Sequence, residues 1–182
     1  TLTNDSDRPR RLRIGSYFEW CCGVAPDVKR EFHRLFITTE HDAPRHAIIA
    51  NKNMWDVPQR SEADHWNRPW PYTAAHALVA PAGATANHAT ADKAGFLGRL
   101  GSQAAPPWML ENAPTSRFGR FIDAASALAT DVSLAPGASV TLYFLTAIAP
   151  VLSLIPIFPC RPLSSFSFSP PLSLSLSHSS LS

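Results

Sequence analysis

The chain has 182 residues, of which 45% are hydrophobic, and this is enough for one domain with a core of its own. Its 16 Lys and Arg against 14 Asp and Glu give a formal net charge of +2, too small to indicate a nucleic acid or an anionic membrane surface as partner. Three cysteines, two of them adjacent, form neither a disulfide framework nor a metal-binding spacing, so a reducing, cytoplasmic compartment is expected.

The strongest pattern predicts a β-strand over residues 10–22. Apolar or small side chains occupy the even positions: Leu12, Ile14, Ser16, Phe18, Trp20 and Cys22. Polar or aromatic side chains occupy the odd positions: Arg11, Arg13, Tyr17 and Glu19. A period of two is typical of a strand with one face in a core and the other in water. Gly15 indicates a bulge or the close approach of another backbone.

The first residues predict a hairpin with this strand. Thr1 to Thr3 enter directly into the polar turn formed by residues 4–7. The chain starts without an initiator Met or a signal segment, so we expect a piece of a longer protein whose first strand is cut.

The middle of the chain alternates short strand patterns with turns. A helix is predicted over residues 27–36 behind Asp27, and strands over residues 35–40, 47–50 and 72–80. Residues 117–128 fit a helix or a strand. The best hairpin has Val132 and Leu134 before a Pro136-Gly137 turn, and Val140, Leu142 and Phe144 after it.

The last 32 residues have a biased composition. Residues 151–182 contain 11 Ser, 7 Leu, 5 Pro and 3 Phe. Such a segment has no means of forming a packed core. Because these four residue types share pyrimidine-rich codons, we interpret residues 150–182 as a disordered low-complexity tail that comes from translated non-coding sequence.

A membrane span from Val140 to Phe158 is an alternative, since the stretch is apolar and long enough to cross a bilayer. Pro150 and Pro156 argue against it, as does the period-two pattern of Val140, Leu142 and Phe144.

Taken together, the predicted elements indicate a mostly β protein with one or two short helices. Short strands separated by turns favour an antiparallel sandwich.

Five strings resemble, in order, the amino-terminal sandwich of glycosyltransferase family 36, now grouped as glycoside hydrolase family 94. They are LTNDSDRPRRLRIGSYFEW, FHRLFITTEHD, DKAGFLGR, RFIDAASAL and VSLAPGASVTLYFLTA. The family contains cellobiose and chitobiose phosphorylases and the cyclic β-1,2-glucan synthases, and the resemblance is closest to the synthase-like members. It implies that residues 1–149 are a truncated β-sandwich of the large, galactose-mutarotase-like type called a supersandwich.

The resemblance also implies what surrounds such a domain. In the family a helical linker and a helical barrel follow the sandwich, and they carry the acid and the phosphate-binding groups for inverting phosphorolysis. The implied partners are a β-glucan or oligosaccharide, the barrel domain of the parent and a second subunit. The parent is expected to be cytoplasmic or associated with the inner membrane, and no cofactor is indicated.

Candidate catalytic residues are few. Glu40 and Asp42 would share one face of a strand, the crude requirement for an acid and base pair, but solvated loop carboxylates are the interpretation we favour. The histidines of this region have no spacing typical of metal ligands. They are His33, His41, His46 and His65. No activating basic helix terminus is visible near Cys21 and Cys22, so the sequence predicts no catalytic residue and no metal site.

Residues 54–72 combine tryptophans with polar side chains, and this mixture suits a sugar. An aromatic face covers the C–H surface of the ring while planar polar groups bind its hydroxyls. The predicted carbohydrate-binding residues are Trp55, Trp66, Asn67, Arg68, Trp70 and Tyr72. Burial of the tryptophans as anchors of a long loop is the alternative, and Trp108 is predicted to be a packing anchor.

We therefore predict a noncatalytic carbohydrate-binding sandwich from a glucan phosphorylase or a cyclic β-1,2-glucan synthase-like glycosyltransferase. The alternatives are a freestanding carbohydrate-binding module and a membrane-anchored fragment.

Overall fold

A computed structural model describes residues 1–22, 34–54, 69–80, 83–84 and 86–150. The strands in these ranges are β1 (Leu2–Thr3), β2 (Arg10–Glu19), β3 (Ile37–Asp42), β4 (Ala47–Lys52), β5 (Thr73–Val79), β6 (Ala86–Asp92), β7 (Gly119–Arg120), β8 (Ala124–Leu134), β9 (Ser139–Val140) and β10 (Tyr143–Ala149). The helices are α1 (Lys93–Leu97) and α2 (Pro107–Leu110), with a 3-10 turn at Ala43–Arg45.

The strands form two facing antiparallel sheets. One sheet has five strands in the order β10-β5-β4-β3-β7, the other has three in the order β2-β8-β6, and β1 pairs with β9 separately. The buried residues between the sheets come from both, as in the cluster of Trp20, Ile37, Ala50, Ala74 and Ala124. The predicted mostly β, antiparallel sandwich with two short helices is confirmed.

The predicted strand at residues 10–22 is confirmed over residues 10–19 as β2, which pairs with β8 from Arg10↔Leu134 to Glu19↔Ala125, and residues 20–22 lie beyond its end. Its even row faces the five-stranded sheet, and we call this side the inner face. Trp20 is buried there and Phe18 packs beside it. Leu12, predicted to be in the core, is 38% exposed. At Gly15 a Cβ atom would lie 3.0 Å from the Leu128 carbonyl oxygen and 3.1 Å from Met109 Cε, so the predicted close approach is present.

The opposite side of β2, the outer face, is open to water at Arg11, as the pattern predicted, but is partly covered at Arg13, Tyr17 and Glu19. The segment from α1 to α2 covers it and contributes Phe96 and Trp108 to a cluster with Ala127, Ala129 and Tyr17. We call this segment the cap. Trp108 is 1% exposed and its Nε1 donates a 2.9 Å hydrogen bond to the Thr115 carbonyl, so its prediction as a packing anchor is confirmed.

The hairpin predicted between the first residues and β2 is wrong. β1 pairs with β9 instead, Leu2 opposite Val140. Asn4 fixes this arrangement, because its amide nitrogen donates to the carbonyls of Leu134 and Ala135 at 3.0 and 3.1 Å. The amino-terminal turn therefore binds the turn after β8, far away in sequence.

The second predicted hairpin has the right turn and the wrong pairing. Gly137 has a φ of +73°, which glycine adopts without strain, and Ala138 N donates to the Ala135 carbonyl at 3.0 Å. The chain then crosses to the other sheet, where β10 pairs with β5 from Tyr143↔Val79 to Ala149↔Thr73. Crossing between sheets is typical of sandwiches.

The other strand predictions have mixed outcomes. The strands predicted at 35–40, 47–50 and 72–80 are confirmed as β3, β4 and β5. Residues 117–128 form β7 and part of β8, so their helical interpretation is wrong. β8 lies between β2 and β6 and is buried on both faces, and its seven residues from Ala124 to Thr130 show no period of two. β6 and α1 have no counterpart in the sequence prediction.

Three expectations concern residues outside the described ranges. The helix predicted at 27–36 lies mostly outside them, as does the low-complexity tail after residue 150. Within the described residues no helix has the length and apolarity that a membrane crossing needs. The described part of the proposed span from Val140 contains strand β10 rather than a helix, so that alternative is wrong there.

Candidate carbohydrate-binding surface

Two of the predicted sugar-binding residues, Trp70 and Tyr72, lie together just before β5. Trp70 N donates a 3.0 Å hydrogen bond to the carbonyl of Lys52 at the end of β4. The Trp70 ring packs partly buried against the inner core cluster, whereas Tyr72 is 41% exposed. Their ring centroids are 5.4 Å apart with an interplanar angle of 61°. We call this pair of residues the aromatic step. Its Trp70 ring is anchored in the core, and its Tyr72 ring is accessible.

The remaining predicted residues of this surface fall outside the described ranges. They are Trp55, Trp66, Asn67 and Arg68. The structure thus brings together two of the six predicted side chains. Trp70 is partly buried against the core, which fits an aromatic anchor. Tyr72 is exposed, which fits a residue that contacts a ligand.

A buried lysine lies at the same end of β4. Lys52 is 2% exposed and its Nζ donates a 2.9 Å hydrogen bond to the Cys22 carbonyl. Cys22 is buried as well, and this burial raises the pKa of its thiol to about 12. A thiol with such a pKa is a poor nucleophile at neutral pH. The hydrogen bond from Lys52 ties the chain after β2 to the end of β4, where the Lys52 carbonyl accepts the hydrogen bond from Trp70 N.

The carboxylates Glu40 and Asp42 lie on β3, so the favoured prediction of loop carboxylates is wrong. Asp42 Oδ2 lies 2.6 Å from Arg45 Nη1, and its Oδ1 accepts a hydrogen bond from Arg45 N at 3.3 Å. Asp42 therefore caps the 3-10 turn that follows the strand. Glu40 is exposed.

The histidines of this region pack as neutral rings. His41 stacks on Phe118 with centroids 4.7 Å apart, and its ring lies 5.9 Å from that of His46. Burial lowers the pKa of both, that of His46 to about 4. In the part of the chain that the structure describes, no three His, Cys, Asp or Glu side chains come together as metal ligands. His33 and His65 lie outside it.

An ion-pair network on the outer face has no counterpart in the sequence predictions. Arg34 Nη1 lies 2.7 Å from Glu19 and 3.1 Å from Asp123, and Lys93 Nζ lies 3.1 and 3.4 Å from the same two carboxylates. Burial opposes ionisation of Glu19, but the hydrogen bond from Lys93 and the charge of Arg34 outweigh it and hold its pKa below the usual value. These four residues are far apart in sequence, so no local pattern signals their meeting.

A second pair on this face joins β2 to β8. Arg13 Nε and Nη2 donate to the two carboxylate oxygens of Asp131 at 2.6 and 2.9 Å, and His88 Nε2 lies 3.1 Å from Asp131 Oδ2. The Arg13 hydrogen bond lowers the pKa of Asp131 to about 2. Three of the carboxylates on this face, Glu19, Asp123 and Asp131, are thus held in the ionised form.

Comparison with protein families matches residues 1–152 to the family described as Glycosyl hydrolase 94, supersandwich domain. The match covers most of the chain, and the chain belongs to this family. The resemblance carried by the five sequence strings is confirmed. A search among curated proteins gives no significant match.

Proposed function

We propose that this chain is a noncatalytic carbohydrate-binding sandwich domain of a family 94 enzyme that acts on β-glucans. The exposed ring of Tyr72 beside the anchored ring of Trp70 carries the proposal, together with membership in the supersandwich family. The proposed parent is a glucan phosphorylase or a cyclic β-1,2-glucan synthase-like glycosyltransferase. Its helical barrel, or a second subunit, is the proposed protein partner.

The geometry of the aromatic step suits a pyranose ring. An exposed tyrosine face offers an apolar surface to the C–H groups of a sugar, and a phenolic hydroxyl can donate or accept a hydrogen bond. Because Trp70 packs against the inner core and Tyr72 contacts it, the Tyr72 ring is held by a rigid neighbour. A fixed platform binds with a smaller entropy cost than a freely rotating side chain.

The state of the carboxylates supports a noncatalytic role. Inverting cleavage of a glycosidic bond needs a carboxylic acid that is still protonated at working pH, so its pKa must be raised. Glu19, Asp123 and Asp131 instead have lowered pKa values because arginine or lysine side chains bind them. These carboxylates are suited to ion pairing and unsuited to protonating a leaving group.

The test measures sugar binding by the full chain with isothermal titration calorimetry. Linear and cyclic β-1,2-glucans and cello-oligosaccharides are the ligands, and Tyr72→Ala should weaken binding roughly fivefold to tenfold, since one aromatic contact contributes about 1–1.5 kcal/mol. Tyr143→Ala is the matched control, because Tyr143 is 44% exposed on β10, away from the step. An equal loss of sugar affinity in both variants, or no sugar binding by the unsubstituted chain, would overturn the proposal.

The noncatalytic part has its own assay. With inorganic phosphate and a β-glucan, sugar 1-phosphate should not accumulate above the background of a chain-free sample. Reproducible turnover by purified chain would show that it contains an acid of the required kind.

A further inference from the structure

A groove lies between α1, the turn that follows it and residues 117–123. Its volume is about 750 Å³, and its walls include Leu97, Arg99, Arg117, Arg120, Phe121 and Ile122. Small-molecule sites commonly have volumes of about 300–1,000 Å³. We call it the Arg99–Arg120 groove, and it is separate from the aromatic step at Tyr72.

The charges around this groove are unbalanced. Both carboxylates of its lining already have cationic partners, because Asp92 lies 2.7 Å from Arg117 and Asp123 lies 3.4 Å from Lys93. Arg99 and Arg120 are exposed and make no ion pair with the residues that the structure describes. Two guanidinium groups thus line one concave surface, and no carboxylate in the described part of the chain pairs with them.

Two glycines set the backbone that presents Arg99. Gly98 ends α1 with a φ of +68°, and a Cβ atom there would lie 3.1 Å from Pro107 Cγ. A Cβ atom at Gly101 would overlap the Leu97 carbonyl oxygen. A side chain at Gly98 would be strained by the positive φ, and one at Gly101 would need a shift of the backbone, so the turn holds Arg99 at the rim between two glycines.

The groove also has an apolar wall. Ile122 is 79% exposed, which is unusual for so large an aliphatic side chain, and Phe121 lies next to it. The guanidinium carbon of Arg117 lies 5.8 Å from the centre of the Phe121 ring and fixes that ring from one side. A ligand that fits both parts would carry an anionic group and a compact apolar or ring-shaped body.

We propose that the Arg99–Arg120 groove binds a small phosphate monoester, with the phosphate between Arg99 and Arg120 and the organic body against Ile122. The guanidinium fork matches phosphate oxygens in a bidentate manner. A dianion neutralises both free charges, whereas a carboxylate would leave one unbalanced. A protein partner would need a contact surface of about 800 Å² per side, which a groove of this size does not offer.

The test uses the full chain and four probes at constant ionic strength, followed by calorimetry and by the amide chemical shifts of ¹⁵N-labelled protein. The probes are phenyl phosphate, inorganic phosphate, benzoate and an acidic peptide. Phenyl phosphate should bind most tightly, with shifts at Gly98, Arg99, Arg120 and Ile122. Arg99→Gln and Arg120→Gln should each weaken it roughly tenfold, as expected for the loss of a charged hydrogen bond.

Two further variants separate specific binding from general charge. Arg8→Gln removes the same charge from an exposed position outside the groove and should leave affinity unchanged. Ile122→Ser should weaken phenyl phosphate several-fold and leave inorganic phosphate unaffected. The proposal is overturned if Arg8→Gln has the same effect as Arg99→Gln, if the acidic peptide binds more tightly than phenyl phosphate, or if the shifts fall elsewhere.

Discussion

Phe18 and Tyr17 are neighbours on β2 and point to opposite sides of the three-stranded sheet. On the inner face Phe18 contacts Trp20 and His76, with ring centroids 4.6 and 4.7 Å away. On the outer face Tyr17 stacks on Phe96 of the cap at 4.4 Å, and its hydroxyl donates to Glu19 at 3.2 Å. At these two residues both sides of the strand are covered, one by a second sheet and the other by a short helical segment.

The two faces use different interactions. The inner face is covered by apolar side chains and by His76, whose neutral ring Nδ1 lies 2.9 Å from Thr146 Oγ1. The outer face combines the aromatic cluster of the cap with ion pairs of Arg13, Arg34 and Lys93. The comparison shows that a row of polar and aromatic residues on a strand is compatible with burial when cations and carboxylates from distant segments meet there.

Replacing a tryptophan on either face by alanine has the largest expected effect. Trp20 of the inner face is 5% exposed and Trp108 of the cap is 1% exposed. Each variant loses buried surface and leaves a cavity, so Trp20→Ala and Trp108→Ala should each lower the free energy of unfolding by about 3–5 kcal/mol. Urea denaturation followed by circular dichroism measures both.

Replacing each tryptophan by phenylalanine keeps an aromatic ring and isolates the contribution of the indole N–H hydrogen bond. Trp108 Nε1 donates to the Thr115 carbonyl, whereas Trp20 Nε1 has no hydrogen-bond partner among the described residues. Trp108→Phe should therefore cost about 1 kcal/mol more than Trp20→Phe. A loss of less than about 1 kcal/mol for Trp108→Ala would show that the cap is not a second core.

The next expected effect separates the faces by pH. Burial lowers the pKa of His46 and His76 to about 4. Below the ordinary histidine pKa of about 6.5, the unfolded chain binds protons that the folded chain does not. The free energy of unfolding should therefore fall as pH drops from about 6.5 to 4, by about 1.4 kcal/mol per pH unit for each histidine, or about 3 kcal/mol in total for each.

The outer face responds at lower pH. The Arg13 hydrogen bond holds the pKa of Asp131 at about 2, so its stabilisation is complete above the ordinary carboxyl pKa of about 3.9 and is lost as pH falls towards 2. Urea midpoints at a series of pH values test both windows. His76→Gln should flatten the slope between 6.5 and 4, and Asp131→Asn should flatten the slope below 4. If His76→Gln leaves the slope of the urea midpoint between pH 6.5 and 4 unchanged, the lowered pKa of His76 is not a source of the pH dependence.

Tyr17→Ala has a smaller expected effect on stability. The period-two pattern places Tyr17 in water and would predict almost no loss, whereas its position under the cap predicts a measurable one. Tyr17 is half-buried and stacked on Phe96, so its loss should cost about 2 kcal/mol. Phe18→Ala should cost an amount within about 1 kcal/mol of this, because Phe18 is only half-buried as well. Tyr143→Ala, at an exposed position of β10, should cost less than about 0.5 kcal/mol. Thermal melts of the three variants suffice, and a Tyr17→Ala result equal to the control would restore the one-faced interpretation.

Local pattern was sufficient for the strands that have one clear apolar row or strong turn signals at their ends, as in β2, β3 and β4. It failed for β8, because its alanines are buried on both faces and give no period of two. It also failed for the pairing of β1 with β9, since Leu2 and Val140 are brought together by Asn4 across the whole chain. Pairing partners depend on such distant contacts.

The candidate site was predictable to a similar extent. Composition indicated Trp70 and Tyr72, because aromatic residues interleaved with polar ones stand out in a sequence. The difference between them, one anchored and one exposed, depends on the inner core and has no local signal. The Arg99–Arg120 groove was missed, since its two arginines are 21 positions apart in sequence and line one groove only in the folded chain.

The smallest expected effect concerns the ion-pair network of Glu19, Arg34, Lys93 and Asp123. Glu19→Gln removes one of two carboxylates that bind both cations, and Asp123 remains beside them at 3.1 and 3.4 Å. We therefore expect a loss of about 1 kcal/mol, less at high salt. Arg45→Gln is the control, because its pair with Asp42 is exposed and should contribute less than about 0.5 kcal/mol.

The double variant Glu19→Gln with Asp123→Asn decides whether the network acts as a unit. It leaves Arg34 and Lys93 beside the aromatic cluster without either carboxylate, and uncompensated charge at a partly buried position is costly. The loss in the double variant should exceed the sum of the two single losses by about 0.5 kcal/mol or more, as measured by urea denaturation at low and high salt. Additive losses that do not change with salt would mean that these four charges do not act as a unit and that the Tyr17, Phe96 and Trp108 cluster, together with the Arg13–Asp131 pair, holds the outer face.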